Sequence, residues 1–286
     1  MTTFGERLTS AFQQHGRLCV GIDPHAHLLQ EWGMDASGHG LREFGLRVVE
    51  AAAGRVGIVK PQVAFFERFG SAGFAALEDV LSAARVAGLL VIADAKRGDI
   101  GSTMDGYASA WLEPGSPLEA DALTVNPYLG PESLRGALTS AVKAGKGVFV
   151  LAATSNPEAA ALQTAQTTDV AAGDGETVAA RVARDIAWVN GSAAFAGGLG
   201  PVGLVVGATV DRQEFGLTDE VLAGAPILAP GFGAQGAEPA DLTALFGTVA
   251  ANVIASESRS ILSAGPDGLV ARIEERSALY RGESHG

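Results

Sequence analysis

Short apolar runs rich in β-branched residues alternate along the chain with stretches in which apolar residues recur every three or four positions. A continuous apolar run of about four to eight residues is typical of a strand buried on both faces. Eight such runs are present: LCVGID (18–23), VGIVKPQV (56–63), LLVIAD (89–94), ALTVN (122–126), GVFVLAAT (147–154), VGLVVGAT (202–209), PILAPG (226–231) and NVIAS (252–256).

The stretches between the strand candidates have the i, i+3, i+4 spacing of amphipathic helices. They are RVVEAAA, FAALEDVLSAARVAG, PESLRGALTSAVKAG, ETVAARVARDIAWVN, LTDEVLAG, DLTALFGTVA and GLVARIEERSALY. The pattern is weakest in STMDGYASAWL, which follows Asp99. A helix near residues 3–15 precedes the first strand, and because its Phe4, Leu8 and Phe12 share one face, we expect it to close one end of the molecule.

Eight strand–helix units predict an α/β fold, a single (β/α)8 TIM barrel with an extra N-terminal helix. We expect residues 1–286 to form one catalytic domain of this kind. The alternative is an open doubly wound sheet, but no G-x-G-x-x-G pattern follows the first strand. The segment 156–200 is long for one unit. Its polar and Gly-rich parts, TAQTTDVAAGDGE and GSAAFAGGLG, predict a decoration around a helix rather than a second domain.

Composition limits the kinds of binding partner that such a barrel could have. The 286 residues are 47% hydrophobic, which supplies a large core, and the formal net charge is −12. That charge disfavours nucleic acid or an anionic membrane as the main partner, although a local cluster of cations still suits a small anionic ligand. The absence of a signal-peptide pattern and of a bilayer-length apolar run predicts a cytoplasmic protein. The single cysteine, Cys19, lies within an apolar run and is expected to be a buried, inert thiol.

Polar side chains mark the carboxyl ends of the predicted strands, where barrels of this class form their active sites. They are Asp23, Lys60, Asp94 with Lys96, Asn126, Thr154 with Ser155, Gln235 and Arg259. Each one has a structural explanation, since loops are polar and Asp or Ser often caps the next helix. Asn126, before Pro127, is best explained as a turn former. For the whole set we favour function, because charges at strand ends are harder to explain than polar loop residues.

The stretch VIADAKRGDIGST (91–103) ends a core strand in closely spaced charges. Residues i and i+2 of a strand share a face, so Asp94 and Lys96 both point into the barrel mouth if the strand continues past Asp94. Lys60 brings a second ammonium to the same mouth, and Asp99 lies in the following loop. The alternative is a plain structural ion pair, which is an inefficient way to stabilise a core.

A Gly-rich turn, GFGAQGA (231–237), follows the seventh strand candidate. Exposed backbone N–H groups suit an anion, and Arg259 after the eighth strand adds a positive charge. The loops after strands seven and eight of barrel enzymes often form a phosphate site, although a tight turn alone also explains the glycines. His25 and His27 lie two residues apart without a nearby acid or cysteine cluster, so no metal site is expected.

Together these motifs identify a family. Asp94-Ala95-Lys96-Arg97-Gly98-Asp99-Ile100, read as D-x-K-x-x-D-I, resembles the signature of orotidine 5′-phosphate decarboxylases. GIDPH, VKPQVAFFE, NPYLG, TSNPE, APGFGAQG and ESRSIL also occur along the chain in the family's order. DAKRGDIGST with NPYLG and the long segment after TSNPE resemble the longer, mycobacterial-type (type 2) branch. The similarity covers nearly the whole chain, whereas D-x-K-x-x-D alone is shared with sugar-phosphate enzymes of the same fold.

The resemblance implies decarboxylation of orotidine monophosphate to uridine monophosphate, in de novo pyrimidine biosynthesis, by a homodimer without metal or organic cofactor. It implies a catalytic tetrad of Lys60, Asp94, Lys96 and Asp99. Asp94 would repel the substrate carboxylate, and Lys96 would stabilise and protonate the C6 carbanion. The implied substrate-binding residues are Asp23 at the ribose, Ser155 at the pyrimidine, Gln235 and Arg259 at the phosphate, and Pro230. Ile100 and Thr103 are also implied and would enter the partner's site together with Asp99.

Two positions depart from the family pattern. Gly101 stands where many relatives have Pro, and Ser258 precedes Arg259 where shorter relatives have Gly. Arg97 is expected to be a solvated or interface residue rather than a catalytic one. Two alternative functions stay open: a Mg²⁺-dependent sugar-phosphate aldolase or decarboxylase, and a non-catalytic nucleotide-binding barrel. Lys60 and Gln235 disfavour the first, and an aspartate that repels an anionic ligand disfavours the second.

Overall fold

Eight parallel strands close into a barrel in the computed structural model, which describes residues 2–168, 175–191 and 198–281. The strands are β1 Leu18–Ile22, β2 Ile58–Pro61, β3 Leu90–Arg97, β4 Ala122–Val125, β5 Gly147–Ala153, β6 Val202–Val206, β7 Ile227–Pro230 and β8 Val253–Glu257. Each strand pairs with its neighbour in sequence, and β1 pairs with β8. The predicted barrel is confirmed, and the doubly wound alternative is wrong.

Helices fill the connections and surround the sheet. They are α1 Phe4–His15, α2 Ala26–Glu31, α3 Gly38–Ala52, α4 Val63–Glu67, α5 Gly70–Val86, α6 Gly101–Leu112, α7 Arg135–Ala144, α8 Ala159–Gln163, α9 Val178–Asn190, α10 Asp219–Leu222, α11 Leu242–Phe246, α12 Arg259–Leu262 and α13 Gly265–Arg281. Short 3₁₀ turns span Pro131–Leu134, Pro239–Asp241 and Gly247–Asn252. The weak pattern after Asp99 does form a helix, α6. No helix of the described ranges has the length and apolar character needed to cross a bilayer.

The N-terminal helix α1 closes the bottom of the barrel, as its apolar face predicts. Thr3 caps it in a reciprocal arrangement with Glu6, which fixes where the helix begins. Phe4 and Leu8 are buried against the inner barrel residues, and the Phe4 ring meets Phe149 edge to face at 5.9 Å. The barrel is therefore filled from below by side chains, and its open end is the carboxyl end of the strands.

Cys19 belongs to this inner layer and is fully buried, as expected. Burial raises the pKa of its thiol to about 12, so the thiol stays protonated and unreactive.

The long segment 156–200 adds α8 and α9 beside β5 and β6. α9 confirms the predicted helix, and its Asn190 side chain donates to the carbonyl of Val202 at 2.6 Å and accepts from the Val202 N–H at 3.2 Å. This ties the end of the segment to the start of β6. The predicted loops TAQTTDVAAGDGE and GSAAFAGGLG lie partly outside the described residues, as does most of the RGESHG terminus.

Candidate active site

A cavity of about 360 Å³ opens at the carboxyl ends of the strands. Eight of the predicted site residues line it: Asp23, Lys60, Asp94, Lys96, Ser155, Pro230, Gln235 and Arg259. They come from the ends of six different strands, or from the loops that follow them, as the barrel topology predicts. The same wall includes His25, Gln62 and Thr124, for which no functional role was predicted.

Asp94 is the centre of the charged cluster. Its Oδ1 accepts from Lys96 Nζ at 2.5 Å and from the Thr124 hydroxyl at 3.0 Å. Its Oδ2 accepts from Lys60 Nζ at 3.1 Å and, with the Gln62 amide turned so that both of its ends find partners, from the Gln62 nitrogen at 3.0 Å. Four donors therefore fix this carboxylate in one orientation.

The two ammoniums decide the charge of this buried carboxylate. Burial alone would raise the pKa of Asp94, but Lys60 and Lys96 outweigh burial and lower it to about 2. Burial likewise disfavours the Lys60 ammonium, but Asp94 and Asp23 outweigh it and raise the pKa of Lys60 above its ordinary value. Asp94 and Lys60 therefore remain ionised at neutral pH.

The backbone at Lys96 differs from the extended conformation that the i, i+2 argument assumes. Lys96 has φ 50 and is the one non-glycine residue with positive φ in the described ranges. Such a conformation costs about 1–3 kcal/mol and is retained where the surroundings impose it. Asp94 and Lys96 do meet in the barrel mouth, but they meet across an irregular turn of β3 rather than along a regular strand.

The fourth member of the predicted tetrad lies apart from the other three. Asp99, Ile100 and Thr103 follow β3 and are absent from the cavity wall formed by the described part of this chain. Asp99 Oδ1 accepts from the Ile100 N–H at 2.8 Å, and Ile100 is 63% exposed. The next residue, Gly101, has φ 54, which proline cannot adopt because its ring fixes φ near −65°. The glycine here allows a turn that the family's usual proline would prevent.

Two loops frame the opposite side of the cavity. Gly231 and Gly233 in the Gly-rich turn have φ 119 and φ 69, which explains the need for glycine there. Gln235 from this turn and Arg259, the first residue of α12, both line the cavity. The structure thus brings these two residues, from beyond the ends of β7 and β8, into the wall of one cavity.

A buried ion-pair network lies next to the Gly-rich turn and to the segment that begins α12. The Glu257 carboxylate is fully buried at the end of β8 and accepts from Arg276 of α13 at 2.6 Å, from the Tyr280 hydroxyl at 2.7 Å and from the Ser260 hydroxyl at 2.6 Å. Arg276 also donates to Glu238 beside the Gly-rich turn at 3.1 Å. The pKa of Arg276 is raised because these two carboxylates outweigh the effect of burial.

Asp23 provides an unpaired acceptor in the wall of the cavity. Its Oδ1 is buried and has no hydrogen-bond partner within the described residues. Buried polar atoms are usually paired, so an unpaired oxygen in a cavity wall suits a ligand hydroxyl. His25, two residues later, packs its ring on Phe65 at 4.2 Å, and burial lowers the pKa of its imidazole.

Of the two expectations for Arg97, a solvated or an interface residue, the structure contradicts the solvated one. Its side chain is 21% exposed, forms an ion pair with Glu67 of α4, and lies 5.6 Å from the Tyr107 ring and 5.9 Å from the Trp111 ring of α6. It joins the helices on either side of β3. Asn126 does form a turn, because its Oδ1 accepts from the Tyr128 N–H at 3.0 Å.

The sequence contains a pattern that could have predicted the place of Gln62 and of Thr124 in the site. Gln62 lies two residues after Lys60 and so shares its face, and Thr124 is a lone polar residue inside the apolar run ALTV. Among the described residues, no three His, Cys, Asp or Glu side chains are grouped to bind a metal ion.

A closed (β/α)8 barrel whose mouth holds ionised aspartate and lysine side chains beside a Gly-rich loop is the architecture of a barrel enzyme for a small anionic molecule. The chain belongs to the Orotidine 5′-phosphate decarboxylase / HUMPS family, which it matches over residues 16–272. This confirms the family resemblance carried by DAKRGDI.

Individual relatives agree over almost the full length. The chain is 54% identical over 267 residues to an orotidine 5′-phosphate decarboxylase of Salinispora arenicola, covering 93% of this chain and 92% of the relative. It is 50% identical over 268 residues to one of Streptomyces coelicolor, with 93% and 92% covered. A crystal structure of a candidate orotidine 5′-phosphate decarboxylase from Streptomyces avermitilis matches the fold with a TM-score of 0.91 and 47% identity, covering 99% of this chain and 96% of that one.

Proposed function

We propose that the protein is a carboxy-lyase that converts orotidine 5′-phosphate to uridine 5′-phosphate and CO₂, a step of de novo pyrimidine synthesis. Relatives of that name align over more than nine-tenths of the chain. The observation that carries the proposal is the ionised Asp94, held between the ammoniums of Lys60 and Lys96 in the cavity wall. A fixed negative charge beside an ammonium suits a reaction in which one anion is lost and another forms.

The substrate carboxylate would lie against Asp94, in a like-charge contact that the loss of CO₂ relieves. The C6–carboxyl bond breaks, its electron pair stays on C6, and CO₂ leaves. Lys96 Nζ faces this carbanion and transfers a proton to C6, and water then reprotonates the neutral amine. An ammonium stabilises a localised carbanion more than a delocalised carboxylate, so the interaction favours the transition state over the bound substrate.

The rest of the cavity supplies groups suited to the other parts of the nucleotide. The unpaired Oδ1 of Asp23 would accept from a ribose hydroxyl, and Ser155 would meet the pyrimidine edge. Gln235 and Arg259 would bind the phosphate, and Pro230 contributes to the same cavity wall. Binding energy gained at the phosphate would then hold the reacting carbon beside Lys96.

A homodimer would complete the site. Asp99, Ile100 and Thr103 lie outside the cavity wall of their own chain, and Ile100 is exposed despite being apolar. A partner subunit that receives these residues would bring Asp99 to the ribose. We further propose a cytoplasmic location and a reaction without metal or organic cofactor.

A spectrophotometric assay of orotidylate loss, run with and without EDTA, tests the activity. We expect full turnover in EDTA, whereas a Mg²⁺-dependent sugar-phosphate enzyme would leave orotidylate unchanged and a nucleotide-binding barrel would bind it without turnover. Lys96→Ala should abolish turnover with the fold retained, and Lys143→Ala, at an exposed position of α7, is the matched control. Turnover by Lys96→Ala within about tenfold of wild type would overturn the proton-donor assignment.

A further inference from the structure

Thr124 is the only polar residue of β4, and its side chain is almost completely buried. A buried hydroxyl is costly unless it is hydrogen-bonded, and an apolar residue would fill an ordinary position of this strand more cheaply. Both partners of the Thr124 hydroxyl belong to the charged cluster. The residue therefore has a local purpose that packing does not explain.

The reason for the hydroxyl lies in the pairing of β3 with β4. Ala93 pairs with Leu123 and Arg97 pairs with Val125, so the three residues 94–96 lie opposite Thr124 alone. This surplus of backbone cannot join a regular ladder, and at its end Lys96 takes its left-handed conformation. The Lys96 N–H donates to the Thr124 hydroxyl at 3.0 Å, so a side chain replaces the missing backbone acceptor.

The same hydroxyl donates its own proton to Asp94 Oδ1 at 3.0 Å. Lys96 Nζ donates to that oxygen as well, at 2.5 Å. A single hydroxyl thus connects the backbone of Lys96 to the carboxylate that its ammonium contacts. Since a hydroxyl is both donor and acceptor, Thr and Ser can make this connection, and Val cannot.

We infer that Thr124 is a positioning residue, whose hydroxyl holds the Lys96 backbone and the Asp94 carboxylate in one fixed relationship. The inference rests on the proposed function, because it gives Thr124 a role through Lys96 and Asp94. Without the hydroxyl, the Lys96 N–H loses its acceptor and the left-handed turn can relax toward an extended one. The ammonium then moves relative to the reacting carbon, and a displacement of about 1 Å costs roughly 100-fold in rate.

The test compares Thr124→Val, which keeps the shape and loses the hydroxyl, with Thr124→Ser, which keeps the hydroxyl. We expect kcat to fall about 10- to 100-fold in Thr124→Val and to stay within about threefold of wild type in Thr124→Ser. The Kd for uridine monophosphate, measured by titration calorimetry, should stay within about threefold in both variants. Thr124→Ala also removes the hydroxyl and has no branched side chain, so its kcat should fall as in Thr124→Val. It provides the comparison if Thr124→Val folds poorly.

Two results would overturn the inference: an unchanged kcat in both Thr124→Val and Thr124→Ala, or an equal loss of kcat in Thr124→Ser. A parallel measurement on Lys96→Ala separates this failure from that of the proposed function. If Lys96→Ala is inactive while Thr124→Val matches wild type, only the positioning role is wrong. If Lys96→Ala remains active, the proton-donor assignment itself fails.

Discussion

Gly21 on β1 leaves the space that the side chain of Ser258 occupies at the end of β8. A methyl group on Gly21 would lie 1.8 Å from the Ser258 hydroxyl oxygen and 2.8 Å from its Cβ. Shorter relatives have glycine where this chain has Ser258, and the larger side chain fits here because residue 21 on the neighbouring strand is a glycine. Because Ser258 precedes Arg259, we expect this contact to help set the position of Arg259, the residue proposed to bind phosphate.

Gly21→Ala should destabilise the fold by about 1–3 kcal/mol through overpacking, and should raise KM by displacing Ser258 and Arg259. Ser258→Gly removes the obstructing atoms, so the double variant should recover much of both losses. Urea denaturation and steady-state kinetics on the two single variants and the double variant measure this coupling. Additive effects in the double variant would contradict the direct contact.

Arg259→Ala should raise KM about 10- to 100-fold, because a charge-assisted contact to phosphate is lost. Arg47→Ala on the surface of α3 is the matched control and should leave KM unchanged. Initial rates over a range of orotidylate concentrations provide the comparison. An unchanged KM in Arg259→Ala would place the phosphate elsewhere.

Mixed dimers test the proposed sharing of Asp99. Asp99→Ala and Lys96→Ala should each be inactive alone, but a heterodimer contains one site with Lys96 from one subunit and Asp99 from the other. Free exchange of subunits should restore about a quarter of wild-type activity. No recovery after exchange has been verified, for instance with differently tagged subunits, would argue that each chain builds its site alone.

The pH dependence of stability reports the environment of Asp94. Its pKa is lowered from 3.8 to about 2 in the fold, so its ionised form stabilises the protein above pH 4, and that contribution is lost as the pH falls toward 2. The contribution is about 2 kcal/mol for a side chain that is only 11% exposed. Asp94→Asn should lack this part of the decline in unfolding free energy between about pH 4 and 2. The control variant Asp267→Asn, at an exposed position, should show the same decline as wild type.

The Glu257–Arg276 pair should be more sensitive to the loss of one partner than to the loss of both. Arg276→Met leaves a fully buried carboxylate without its cation and should cost about 3–5 kcal/mol of unfolding free energy. The double variant Glu257→Gln/Arg276→Met removes that unpaired charge and should be more stable than Arg276→Met alone. Urea unfolding curves compare them, and a double variant less stable than Arg276→Met would contradict the explanation.

The sequence predicts the barrel well because its strands are buried on both faces and therefore read as unbroken apolar runs. Strand ends are less accurate: the run 56–63 predicts eight residues where the structure has the strand Ile58–Pro61. The short helices α2, α4 and α12 escaped prediction because one or two turns are too few to establish a helical period.

The candidate site was likewise predicted in part. Position in the sequence is enough to place Asp94 and Lys96 at the barrel mouth, because residues at the carboxyl ends of the strands lie there whatever their local backbone conformation. The left-handed Lys96 was not predictable from its neighbours, since the acceptor of its N–H is a hydroxyl on another strand. For Arg97 the sequence suggests a solvated or interface position, since charged side chains are mostly exposed. Its carboxylate partner on α4 and its two aromatic neighbours on α6 become visible only once these helices pack beside β3.

Cys19 on β1 is buried next to the seam with β8, so the reactivity of its thiol can be used to follow folding of the barrel. Cys19 pairs with Ser256, so the first and last strands of the barrel must meet before the thiol is covered on that side. The chain contains no other cysteine. The rate at which a small thiol reagent modifies the protein during refolding, or during synthesis on the ribosome, therefore reports burial of the inner layer beside this seam without an introduced label.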